Sequence, residues 1–314
     1  MNKYLFCVIT SLLCLFFMAC SDDDFKYDSP DYLDEIIDIN KARNQGSGIF
    51  LDDINYFYDN YKSVMIYECP MGMLKYNGFN NVSKSRHFTP AQEEYVGDVL
   101  DFFKEILAIF PDSLHNDIIP RQILFVDSLA YVSTSGSTEK RNLLMSDTEG
   151  FAKIILGGAG EKTHTQFMSN AKVQGNIYLG CRGLFRKNLC ANWFKVLFEN
   201  SKLPYPDFYN TDKELFPDNR VEIMTYSNAK HYGVLGVHYD EPNPEIFMQK
   251  DVVDFLQKLF DRGSEKFISY WCTSRNDPKG LTRKKYHMFM DYFKSECGID
   301  LERLLSDDFL QVND

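Results

Sequence analysis

A chain of 314 residues with 44% hydrophobic and 25% charged residues is long enough to bury one large core or two small ones. Its formal net charge is −11 at pH 7, and −12 once residues 1–19, whose only charged side chain is Lys3, are set aside. That balance argues against nucleic acid as a partner, because phosphate neutralisation needs clustered Lys and Arg.

Lys3 supplies a minimal basic start, and Leu5 to Met18 form an apolar run broken only by Thr10 and Ser11 and ending at Ala19-Cys20. A small residue before a cysteine at this point resembles a bacterial lipobox, although Phe17 and Met18 are bulkier than the usual pattern. Cleavage before Cys20 would leave a lipidated N-terminus. The alternative, an uncleaved membrane helix, is disfavoured because the run falls short of the ~20 residues a bilayer span needs. The acidic cluster Ser21-Asp22-Asp23-Asp24 resembles the export signal that sends Bacteroides-type lipoproteins to the outer face of the outer membrane. Residues 1–19 are therefore read as a signal peptide, 20–30 as a lipidated tether and 31–314 as the folded domain.

Ser29-Pro30 opens a first helix through Leu33, Ile36 and Ile37, which Gly46 and Gly48 break. A second helix is predicted over Phe50 to Tyr61, followed by a β-prone run, Ser63 to Tyr67, and a turn at Asn77-Gly78. Thr89-Pro90-Ala91-Gln92 has the form of a capping box with proline at the first helical position. It precedes the most regular apolar repeat in the chain, Val96, Val99, Leu100, Phe103, Ile106, Leu107 and Phe110, which Pro111 stops. Ile123 to Val126 and Ala152 to Leu156 read as strands, the latter half buried.

Gly157-Gly158-Ala159-Gly160-Glu161-Lys162-Thr163 has the look of a phosphate loop but lacks glycine directly before the Lys-Thr pair. It reads as a turn, since glycine clusters mostly supply positive φ. Further on, Gln174 to Pro204 comprises a β-prone run, Asn176 to Leu179, then a loop, then a helical stripe of Leu189, Trp193, Val196, Leu197 and Phe198. Strand, loop and buried helix in that order is how a zincin-type metallopeptidase presents two histidines one turn apart, with a glutamate between them as general base. This helix carries no histidine. A later run with Val252, Val253, Leu256, Leu259 and Phe260 is a helix, and Thr282 to Cys297 is an amphipathic helix closed by Gly298, with a short helix at 300–305 after it.

The order of these features resembles a family of zinc-binding metallopeptidases among Bacteroides-type lipoproteins, also described as substrate import-associated zinc metallohydrolase lipoproteins. The matching pieces are Phe50-Leu51-Asp52-Asp53 with Ile66-Tyr67-Glu68, Val99 to Glu105, Gln174 to Leu179, and Asp291 to Lys294 with Gly298 to Leu301. The resemblance implies an α+β fold on a zincin-like scaffold, a small mixed sheet with several packed helices. It does not carry over the metal motif. With the loop Glu199-Asn200-Ser201-Lys202 as the point of registration, the histidine positions fall at Asn192 and Val196 and the glutamate position at Trp193. The implied downstream acidic ligand falls near Asp251, and one carboxylate does not hold a catalytic zinc that needs three protein ligands.

No two of the six histidines, His87, His115, His164, His231, His238 and His287, stand three or four residues apart. His231 and His238 offer an alternative, loop-borne metal site with nearby acids. Asp240-Glu241 in a Pro-rich loop reads as a solvated turn rather than a glycosidase pair. There is no GxSxG elbow. Beyond the signal and Cys20 remain Cys69, Cys181, Cys190, Cys272 and Cys297, an odd set read mostly as buried small hydrophobes, with one or two disulfides allowed. Trp193, Tyr205 and Tyr209 are the candidate platforms for a glycan or peptide, with Phe208 and Trp271 as further aromatic residues that look less like core. The resulting expectation is a surface lipoprotein without catalytic residues and without a cofactor, acting as a binding or accessory subunit beside a TonB-dependent uptake transporter. The alternative is a zinc-dependent hydrolase with a relocated metal.

Overall fold

The computed structural model describes residues 49–67, 84–133, 142–144, 146–149, 153–173, 178–216, 230–236 and 244–310. All belong to one compact unit, Gly48–Asp314. The signal run, Cys20, the helix expected after Pro30, Cys69, the Asn77-Gly78 turn and His238 lie outside the described residues.

The chain enters through α1 (Ile49–Tyr61) and β1 (Val64–Ile66), as the apolar spacing predicts. β2 (Lys84–Pro90) pairs antiparallel with the outer half of β3 (Gln122–Ser133), a twelve-residue strand that organises the sheet. The inner half of β3 runs parallel to β1 on one side and to β6 (Lys153–Leu156) on the other. β4 (Asn142–Leu144) and β5 (Ser146–Glu149) complete a mixed six-stranded sheet through antiparallel pairing with β3 and β6.

The parallel centre explains the continuous apolar runs. Ile123 to Val126, Val64 to Ile66 and Ile154 to Leu156 are all buried, as strands covered on both faces must be. This corrects the half-buried reading of β6, in which only Lys153 is partly exposed.

The capping box is also corrected. Thr89 and Pro90 end β2, and Thr89 Oγ1 accepts a hydrogen bond from Ser128 Oγ at 2.9 Å across the strand pair. Gln92 ties down the loop after β6 instead: its N–H donates to Ala159 O at 2.7 Å and its Oε1 accepts from Glu161 N at 2.8 Å. A 3-10 turn at Glu93–Tyr95 then leads into α2 (Val96–Leu107), which buries the expected stripe. Pro111 ends that segment and is the N-cap of α3 (Asp112–Ile118), a helix the periodicity did not announce.

α4 (Glu161–Met168) follows the glycine loop. The loop's N–H groups are spent on the fold, Gly158 N on Asp127 O at 2.9 Å and Ala159 N on Val126 O at 3.1 Å, so none cradles a phosphate.

The remaining elements are α5 (Cys181–Glu199), α6 (Phe208–Thr211), a 3-10 turn at Lys230–Tyr232, α7 (Pro244–Phe260), α8 (Ser264–Trp271), α9 (Leu281–Ser295), α10 (Leu301–Leu305) and a 3-10 turn at Asp308–Leu310. α5 starts earlier than its apolar stripe predicts. It buries thirteen of its nineteen residues and leaves a narrow face, Asn188, Ala191, Asn192, Lys195 and Glu199, toward solvent. Phe185 meets Phe102 of α2 at 5.5 Å between ring centroids, while Phe194 meets Phe260 of α7 at 5.8 Å and Phe293 of α9 at 5.2 Å. The helix thus forms the spine between the α2 side of the core and the α7–α9 side.

Candidate functional site

The candidate positions on α5 are core positions. Trp193 is 1% exposed, with its ring 5.9 Å from Phe103 and 5.3 Å from Phe110, both edge-on. Val196 is buried and Asn192 half buried. Asn192, Trp193 and Val196 thus offer an amide, an indole and an isopropyl group, none of them a zinc-binding imidazole.

Asp251 sits on α7 in a different surrounding. Its Oδ2 accepts from Lys285 Nζ of α9 at 2.7 Å and from Tyr209 OH of α6 at 2.7 Å, and both charged side chains are 0% exposed. Lys285 Nζ lies 4.8 Å from the ring centroid of Phe216 and 5.5 Å from that of Phe255, so aromatic faces enclose the ammonium group. Burial pushes the Lys285 amine below the ordinary lysine value, opposed by the Asp251 carboxylate beside it. Burial, reinforced by Asp251, pushes the Tyr209 hydroxyl well above its usual range. Asp251 Oδ1 and Thr282 Oγ1 have no hydrogen-bond partner in this cluster. The cluster is a closed ionic knot with no donor set turned outward.

Two of the predicted site residues, Asp251 and Tyr209, are thus brought into direct contact, whereas Trp193 reaches Tyr209 only through intervening rings, Phe110, Phe194, Phe293 and Phe289. Lys285 is the residue that sequence reasoning missed. Its signal was present: Leu281, Lys285, Phe289 and Phe293 recur every four residues, which puts the lysine on the buried face of α9.

The surface platforms need correction. Tyr209 and Phe208 are buried and stacked at 4.7 Å, because the Pro-Tyr-Pro-Asp-Phe-Tyr segment folds inward as α6. Tyr205 is partly buried and stacks on Phe198 at 5.4 Å. His231 is half exposed on its 3-10 turn.

Two other histidines have structural roles. His115 Nε2 faces the carbonyls of Phe110 at 2.9 Å and Leu107 at 3.2 Å, and His164 pairs with Asp98 at 2.6 Å. No group of three or more His, Cys, Asp or Glu side chains able to hold a metal occurs among the described residues. The set implied for zinc does not fit it either, since Asp251 already neutralises an ammonium and α5 supplies no ligand nearby.

Cys181, Cys190, Cys272 and Cys297 are buried free thiols. Burial raises all four, Cys181 and Cys272 to about 11, which keeps them protonated and unreactive.

No family model matches the chain, and no curated protein matches it. Among solved structures, the chain is similar to a "putative zinc-binding metallo-peptidase" from Bacteroides caccae, with 11% identity over 85% of this chain and 93% of that one and a TM-score of 0.43. That likeness is too distant to place any site residue.

Proposed function

We propose that this chain is a lipid-anchored surface protein whose metallopeptidase-like body works without a metal, as a binding or accessory subunit of a TonB-dependent nutrient uptake system. The observation that supports this most is the pairing of Asp251 with Lys285. A lysine ammonium supplies the positive charge that a metal would bring to a buried carboxylate, and it does so without an open coordination position for water or substrate. The burial of Trp193 at the position of a general base points the same way, because an indole N–H neither binds zinc nor takes a proton from water. The lipobox at Ala19-Cys20 and the acidic residues after it support the membrane address.

The test is zinc stoichiometry of the full chain, purified in detergent without a histidine tag or chelator, together with hydrolysis of a mixed peptide library. This reading expects no retained zinc, no rise in melting temperature on adding zinc, and no chelator-sensitive cleavage. Near one zinc per chain surviving dialysis, with chelator-sensitive cleavage, would overturn it and direct mutagenesis to His231 and His238.

A further inference from the structure

A surface cleft of about 470 Å³ opens where the α4–α5 connection meets the corner between α7 and α8 and the C-terminal turn. Gly263, at φ +76°, makes that corner in a conformation that favours glycine, and it places Arg262 at the cleft's edge. The Arg262 guanidinium carbon lies 4.0 Å from the ring centroid of Tyr178 and 3.9 Å from that of Tyr270, with the Trp271 ring at 6.0 Å. Lys266, one turn into α8, donates to Tyr178 O at 3.1 Å and so fixes the first of these rings.

The flanking rings hold the guanidinium in place while leaving its hydrogen bonds unused. Among the described residues Arg262 has no side-chain hydrogen bond and no ion pair. The preceding acid, Asp261, is engaged with Lys187, while Asp307, exposed, lines the cleft and adds its negative charge near the fully buried Arg186. Arg186 is itself anchored through Nη1 to Leu304 O at 2.7 Å and Ser306 O at 3.2 Å. The cleft's own lining sets Arg262, Lys266 and Lys172 against Asp307, a local surplus of positive charge on a protein whose net charge is −11. Glu265 and Glu302 line an adjoining hollow of about 280 Å³ that shares Arg262, Lys266 and Asp307 with the cleft.

A fixed guanidinium with free N–H groups matches a planar or tetrahedral oxyanion, and holding it beforehand reduces the entropy lost on binding. Beyond the cleft's edge, on the far side of Arg262, Tyr270 is 45% exposed and offers an aromatic surface against which the C–H side of a sugar ring packs. The lining offers Met168, Leu179 and Leu310 but no enclosed apolar pocket that would anchor a peptide side chain. We propose that this cleft binds an acidic saccharide, its carboxylate or sulfate-ester oxygens on Arg262 and Lys266 and its ring against Tyr270. The inference rests on the binding-subunit reading above and names its ligand class and place.

Isothermal titration of the detergent-purified full chain tests it, with four probes: tetragalacturonate, a sulfated galactan tetrasaccharide lacking carboxylate, neutral galactotetraose and a tetrapeptide with a free C-terminus. An acidic saccharide should bind while galactotetraose does not, and Arg262→Gln should weaken it about tenfold, the loss of roughly one charge-assisted contact. Arg262→Lys, which keeps the charge and loses the fork, and Tyr270→Ala should each weaken it several-fold, with unchanged melting temperature as the folding control. Binding of only the uronate or only the sulfated probe supports the proposal and identifies the oxyanion.

Galactotetraose binding as tightly as the acidic probes, tetrapeptide binding alone, or acidic binding indifferent to Arg262→Gln and Arg262→Lys would overturn the cleft. If a saccharide still binds in that last case, the binding-subunit reading survives. No saccharide binding together with chelator-sensitive peptide cleavage would overturn both.

Discussion

Removing one member of the Asp251–Lys285 pair strands the other in a place closed to water. Asp251→Ala is expected to cost about 3–5 kcal/mol, the penalty of an unpaired buried charge, read as a lower urea midpoint. The triple change Asp251→Leu, Lys285→Met and Tyr209→Phe removes both charges and the hydroxyl together, and should recover most of that loss, because the desolvation of two ions largely offsets their attraction. A triple variant as unstable as Asp251→Ala would show that the pair contributes more than its desolvation costs. Trp193 makes a different kind of contribution, through area and shape alone. Trp193→Ala should destabilise by about 3–5 kcal/mol and leave ligand affinity unchanged, because its ring touches Phe103 and Phe110 in the interior.

The segment after α6 is joined to α9 by Lys284, whose Nζ lies 2.6 Å from Asp212 Oδ2 and 3.0 Å from Glu214 Oε2. Burial would raise the Asp212 carboxyl, but the Lys284 ammonium and the N–H groups of Leu215 and Glu214 hold it below the ordinary value. A carboxyl that titrates lower in the folded state than in the unfolded one adds stability above about pH 3.9 and loses it as pH falls through the folded value. Asp212→Asn should therefore lower stability slightly at pH 7, by under about 1 kcal/mol, with the difference from the native chain shrinking as pH falls below the ordinary carboxylate value, checked by urea titration at pH 7 and through the acid range. The elements themselves were legible wherever one period ran without interruption: α1, α2, α7 and α9 by helical spacing, and the inner halves of β3 and β6 as apolar runs. The β2–β3 pairing was not, since it joins Lys84 to Ser133 through partners far apart in sequence, which no local pattern encodes. The capping motif at Thr89 misled because tertiary bonds to Ser128, Ala159 and Glu161 claimed its side chains and backbone. Of the buried ion pair, Asp251 stood in the sequence only as an implied metal-ligand position, and Lys285 did not stand out at all because a lysine is almost never fully buried.

Taken as one molecule, the chain is an acidic body that, on the reading proposed above, is held at a membrane by lipid on Cys20. The unit Gly48–Asp314 carries its own core. Anchoring and folding should then separate cleanly. Cys20→Ala removes the thiol that lipid would occupy while leaving the apolar run from Leu5 to Met18 intact. The native chain should partition into the detergent phase and lose that partitioning in the variant, with the same melting temperature in both. On that reading acyl chains would supply the membrane affinity at about 0.8 kcal/mol per buried methylene, so their loss would be large against any contribution from an acidic body that membrane surface charge repels. A variant that stays in the membrane fraction through an alkaline wash would make the Leu5 to Met18 run the anchor, as an uncleaved helix, and Cys20 an ordinary cysteine. The two anchors also make opposite demands on the acidic residues 22–24. A lipidated start needs them beside the bilayer surface as an address, so that Asp22→Ala, Asp23→Ala and Asp24→Ala together would cost surface display measured by protease shaving of whole cells. An uncleaved helix would leave that display unchanged.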